Sequence, residues 1–189
     1  MTGLTRNHIR GGEANQHATS EEFCRIFTED LSGLYQLSFL LTGDHEKAEH
    51  CCVAGLEDCA RTNHVFRDWA RSWAKRTIIQ NAIRELKPRP RGAKSSFSDT
   101  AFPNFCEFFR GQDGHYELKA VLALEDFERF VFVMSVLEHY SVHECALLLG
   151  CSQREVQEGQ TRAFSGLVDS SRMVFSRQNS FGNVQETNR

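Results

Sequence analysis

A chain of 189 residues with a formal net charge of −3 and 40% hydrophobic residues has room for one or two small domains with cores of their own. It holds no apolar run approaching the roughly eighteen residues of a membrane span. Its slight acidity is mildly unfavourable for a DNA binder overall, so local charge decides. Only three prolines interrupt it, two of them at Pro88 and Pro90, and the long stretches between show apolar residues at a period near 3.6. That pattern predicts an all-α chain.

Taken in order, residues 1–19 lack the apolar centre of a signal peptide and read as a disordered, polar lead, which makes a cytoplasmic protein the expectation. Residues 20–86 are predicted to form a first helical domain. A linker over 87–117 follows, where both neighbouring prolines fall among serines and glycines. Arg84, Lys87, Arg89, Arg91 and Lys94 face a single acid, Glu85, across the start of that linker. Such a run can track phosphates, and it serves equally well as a solvated connector. Phe97, Phe102, Phe105, Phe108 and Phe109 make the linker too aromatic to be wholly free, and a short helix over 103–110 would dock part of it. A second helical domain spans 118–168, and a polar, fraying tail covers 169–189.

The seven cysteines include no C-x-x-C pair. His50, Cys51 and Cys52 are consecutive on one predicted helix with Cys59, so their side chains fan out rather than converge on a metal. Packing as reduced thiols is the expectation, and no metal or cofactor is implied.

The second domain carries the sharpest local signal. In SVHECALLLGCSQREVQEGQTRAFSGL (141–167), Ser141 precedes Glu144 by three residues and Ser152 precedes Glu155 by three. Each pair is a capping box, in which the serine oxygen takes a backbone N–H and the glutamate reaches back to the cap's own N–H. Gly150 between them can end a helix in the left-handed conformation. Helix, tight turn and helix follow, with Ala146, Leu149, Val156 and Ala163 facing inward. A helix-turn-helix places its second helix in a DNA major groove, although helix pairs of this kind also pack in proteins that never meet DNA. The preceding helix supplies a buried stripe of Leu124, Phe127, Val131, Met134 and Leu137.

From Leu124 to Leu167 the chain resembles region 4, the C-terminal DNA-binding domain of bacterial sigma-70 family factors. Leu124, Arg129, Ser141, Glu144, Cys145, Ala146, Leu149, Gly150, Ser152, Val156, Arg162, Ala163 and Leu167 fall at matching positions without a gap. LYQLSFLLTGDHEKAEHCCVAGL (34–56) and RDWARSWAKRTIIQNAIREL (67–86) resemble region 2 of the compact, two-domain extracytoplasmic-function sigma factors, with Trp69, Ala74, Lys75 and Arg84 in register. This resemblance implies two small helical domains joined by a linker, core RNA polymerase and promoter DNA as partners, an anti-sigma factor as a further candidate partner, no small-molecule substrate and no enzymatic chemistry of its own. It implies that Gln153, Arg154, Gln157, Thr161 and Arg162 lie along duplex DNA, the first three at base edges and Arg162 nearer phosphate. Trp69, Trp73, Lys75, Arg76 and Arg84 would hold an unpaired strand, since aromatics stack on bases and cations hold the backbone. Both tryptophans serve core packing in the competing reading. Ala48, Glu49, His50 and Val53 occupy the polymerase-docking face.

The departures from the pattern are also specific. Ala48 and Glu49 persist on the docking face, but His50, Val53 and Ala54 replace an acid, an amide and a second acid. Asn81 replaces an aspartate and Glu125 a proline. From Gln153 to Arg162 the reading helix is electrically neutral, with Arg154 and Arg162 against Glu155 and Glu158, and Gln157 and Phe164 stand where a lysine or arginine is frequent. Gly159 lies inside that helix, at a cost of up to about 1 kcal/mol relative to alanine. These changes define a rival reading: a sigma-like protein that has given up promoter activity and serves as a protein-interaction module.

Overall fold

The computed structural model describes residues 16–62, 64–90 and 114–181, and it is all-α, with no strand among them. The helix predicted over 103–110 lies outside the described residues. So do residues 1–15 of the expected lead. Residues 16–19, by contrast, belong to the fold. His17 forms an isolated antiparallel bridge with Phe66, the Ala18 N–H donates to the Val65 carbonyl at 2.8 Å, and the Arg67 N–H donates to the Gln16 carbonyl at 2.9 Å. These backbone bonds, with Ala18 buried beneath them, are why a segment so polar in sequence is held.

Thr19 then caps α1 (Ser20–Glu29) through a full capping box with Glu22. A break at Asp30 leads into α2 (Leu31–Thr42), and Asp44 caps α3 (His45–Ala60) by accepting the Lys47 N–H. A 3-10 turn at Arg67–Trp69 opens α4 (Ala70–Leu86). Phe23, Ile26 and Phe27 of α1, Leu34, Leu37 and Leu41 of α2, Cys51, Cys52 and Cys59 of α3 and Ile78 and Ile79 of α4 fill the space between the four helices. These cysteines pack as the sequence predicts, and burial pushes the Cys51 and Cys59 thiols up to about 11. They are therefore uncharged and poorly reactive at neutral pH.

The second half begins with α5 (Gly114–Leu122), a few residues earlier than the expected start at 118. It continues with α6 (Asp126–Phe132), which runs into a π-helical turn at Val133–Leu137. Helix α7 (Val142–Leu149) and helix α8 (Gln153–Phe181) complete it. The tail expected from 169 is thus helical as far as Phe181. Polarity predicts fraying over 169–189, but 169–181 is a polar run without proline or glycine, which extends a helix already nucleated and packed upstream, and residues 182–189 lie outside the described residues. Phe127, Phe130, Val131, Phe132, Met134, Cys145, Val156, Ala163 and Leu167 form the core of this half.

Buried residues of the two halves form one continuous apolar cluster, because α2 packs against α5, α6 and the π turn. Polar links among the described residues cross the same boundary. Arg129 of α6 is buried, and its Nε donates to the Leu41 carbonyl near the end of α2 at 3.1 Å, while Nη1 donates to the Leu124 carbonyl at 3.0 Å and Nη2 to Asp126. Lys75 Nζ of α4 donates to Glu138 Oε2 just after the π turn at 2.8 Å.

Candidate nucleic-acid interface

Both capping boxes read from the sequence are formed. The Glu144 N–H donates to Ser141 Oγ at 3.2 Å while the Ser141 N–H donates to Glu144 Oε2 at 2.8 Å. The Glu155 N–H donates to Ser152 Oγ at 3.2 Å while the Ser152 N–H donates to Glu155 Oε2 at 2.7 Å. These bonds to the ionised form hold both carboxyls below their usual range, for Glu155 first through the Ser152 N–H and for Glu144 first through the Ser141 hydroxyl. Gly150 sits at φ 65° and ψ 38°, so it reverses the chain where a side chain would be strained. Replacing Ser152 with alanine should cost about 1 kcal/mol, read as a lower denaturant midpoint at unchanged slope. The cap's contribution is present above the ordinary carboxylate range and is lost as pH falls through the depressed range of Glu155.

Gly159 explains itself in this geometry. A Cβ there would stand 2.8 Å from Cε1 of Phe127 and 3.3 Å from Cγ2 of Val131. The missing Cβ lets α8 lie directly against Phe127 and Val131 of α6, so the helix-propensity cost seen in the sequence is offset by packing.

On the outer face of α8, Gln153, Arg154 and Gln157 are exposed. Arg154 Nε donates to Glu158 Oε1 at 2.9 Å along the same helix. Gln153 Nε2 lies 3.3 Å from Nδ1 of His143 on α7. Thr161 spends its hydroxyl on the Gln157 carbonyl at 3.0 Å. Arg162, expected nearer phosphate, turns inward: its Nε donates to Glu128 Oε1 at 2.7 Å, and the Glu128 side chain is 5% exposed against 25% for Arg162. The other oxygen of Glu128 is buried with no hydrogen-bond partner among the described residues, so Arg162 is the group that neutralises this carboxylate.

The strand-holding candidates gather on one wall of an open groove of about 970 Å³ between α4 and the segment joining the π turn to α7. Trp69, Trp73, Lys75 and Arg76 line it together with Arg71, and His139 and Tyr140 stand opposite. Trp69 is 66% exposed, which removes core packing as its role, whereas Trp73 is half-buried. Phe66 meets Trp69 edge to face at 5.8 Å, and His17 stacks on Phe66 at 4.8 Å, so the exposed indole is held by a short aromatic ladder. Arg71 reaches Glu29 at 2.7 Å, as Lys75 reaches Glu138. Arg84 lies away from this groove. It donates to Asp58 Oδ2 at 3.0 Å, and that bond, first among its causes, holds the Asp58 carboxyl below its usual range. Asn81 donates to the same oxygen at 3.2 Å, which gives the aspartate-to-asparagine departure a structural use.

The docking-face candidates divide. Ala48 is fully buried, with its carbonyl accepting from Ser38 at 2.9 Å, so it is a packing residue rather than a surface one. Glu49, His50 and Val53 are exposed on α3, with His50 Nδ1 3.8 Å from Glu85. Sequence reading missed Glu138 and His143, which meet their partners only through the fold. No cluster of three or more His, Cys, Asp or Glu among the described residues could hold a metal ion, and no described helix is long and apolar enough to cross a membrane. No protein-family model matches the chain, and no curated protein matches it.

Proposed function

We propose that this chain is a diverged extracytoplasmic-function type sigma factor: a non-enzymatic, cytoplasmic protein that binds core RNA polymerase and directs it to promoter DNA. What supports the reading best is α8, which offers Gln153, Arg154 and Gln157 outward from a helix-turn-helix fixed by two capping boxes and Gly150. Glutamine complements adenine and arginine complements guanine in the major groove. The groove along α4 supports a second contact, to an unpaired strand, through Trp69, Trp73, Lys75 and Arg76.

A specific observation favours the rival reading, an interaction module that binds a protein such as an anti-sigma factor. Arg71, Lys75, Arg84, Arg154 and Arg162 each already engage a carboxylate of this chain. DNA must compete for them, so fewer counterions are released per cation and the salt dependence is shallow. Co-purification with core polymerase, followed by duplex binding at low salt, separates the readings. Arg154→Ala should relax preference at one base pair and cost about 1 kcal/mol, the low end for a bidentate contact, because binding must first detach Arg154 from Glu158. A chain that captures neither polymerase nor DNA, yet captures an anti-sigma factor, establishes the rival.

A further inference from the structure

We infer that His143 determines which base Gln153 selects, by fixing the orientation of its amide. The inference rests on the DNA-reading role of α8 and adds a residue to it that lies on the other helix of the motif. Gln153 is the first residue of α8 and His143 the second of α7, both exposed. Their side chains meet at 3.3 Å, Nε2 to Nδ1. An amide nitrogen has hydrogens to give and no lone pair to accept with, so in this contact Gln153 donates and Nδ1 accepts, which selects the neutral tautomer that carries its proton on Nε2. The backbone on both sides of the contact is held by the capping boxes at Ser141 and Ser152 and by the left-handed turn at Gly150. The pair is therefore set before any duplex arrives, which is how a supporting residue sharpens a reading one.

With one N–H spent on His143, Gln153 presents Oε1 and its remaining N–H outward. One acceptor beside one donor complements the N6 amino group and N7 of adenine. A group at 143 that could only donate would attract Oε1 instead and turn the amide over. Both N–H groups would then face outward, and two donors complement O6 and N7 of guanine. His143 is thus a positioning residue that acts through Gln153 without touching the base.

The test uses the full chain with His143→Asp, an acceptor only, and His143→Lys, a donor only. The site is exposed, and melting curves confirm that each variant folds. Each protein selects duplexes from a randomised pool. The parent and His143→Asp should enrich adenine at one position, and His143→Lys should move the adenine-to-guanine ratio there by about tenfold toward guanine. Gln153→Ala should erase the preference and the effect of position 143 with it. Identical preferences in His143→Asp and His143→Lys overturn the inference while leaving the DNA reading intact. So does a guanine shift that survives in the Gln153→Ala, His143→Lys double variant, since the lysine then reads the base itself. A parent that selects no duplex overturns the DNA reading and this inference together.

Discussion

Arg129→Ala should destabilise the fold by about 3–5 kcal/mol, a large share of the roughly 5–15 kcal/mol that holds a domain of this size. The guanidinium is buried and serves three acceptors in different directions: the Leu41 carbonyl, the Leu124 carbonyl and the Asp126 carboxylate. Truncation leaves two backbone carbonyls short of a donor and empties the space the side chain filled. Arg129→Lys should recover little, because one ammonium cannot reproduce a planar fork with three separately aimed donors. The Leu41 contact also joins α2 to α6, so the loss should be felt in both halves. Denaturation followed by tryptophan fluorescence reports the first half, which holds both tryptophans. Far-ultraviolet circular dichroism reports the whole chain. Parent transitions that coincide should separate or fall together to a lower midpoint. A variant within 1 kcal/mol of the parent at unchanged slope would show that Arg129 holds nothing across the boundary.

The helices and the turn at Gly150 were legible because their causes are local. Ser141 and Glu144, Ser152 and Glu155, and Gly150 are each within a few residues of the groups they satisfy, and the stripe from Leu124 to Met134 follows from helical period alone. Leu137, expected to close that stripe, is instead 39% exposed at the end of the π turn, which breaks the 3.6-residue period. The exposed candidates on α8 were legible for the same reason, since Arg154 and Gln157 lie off the face of Val156 and Ala163 and Gln153 stands at the helix's exposed first position. What could not be read was which acid each base would meet. Lys75 and Glu138 are 63 residues apart in sequence, and Arg162 and Glu128 are 34 apart. Only the docking of the two halves through α2 and the packing of α8 against α6 bring them together. Arg162 reads in the sequence as a cation expected nearer phosphate, and the fold turns it onto the buried carboxylate of Glu128. Ala48 fails as a surface residue by one helical step: its neighbour Glu49 points out and it points in. The order of residues 16–19 was hidden too, because it depends on backbone bonds to Val65 and Arg67, which carry no side-chain signature.

Gly159→Ala reverses the usual sign of a helix substitution. At an open helical position alanine gains up to about 1 kcal/mol over glycine. Here the added methyl would lie 2.8 Å from the ring of Phe127, which is buried and has Val131 beside it, so α8 must lift from α6 or the ring must leave its rotamer. Overpacking of this kind costs about 1–3 kcal/mol after any propensity gain. The same displacement moves the outward face of α8 relative to α7, so the proposed DNA binding should weaken along with stability, whereas Arg154→Ala should weaken that binding with stability changed by no more than about 0.5 kcal/mol, the scale of its pair with Glu158. Pairing Gly159→Ala with Phe127→Leu should restore part of the lost stability by making room at the contact. A double-mutant cycle then returns a favourable coupling of about 0.5–3 kcal/mol. Simple additivity of the two changes, or a Gly159→Ala variant more stable than the parent, would show that the crossing of α6 and α8 is looser than the 2.8 Å approach requires.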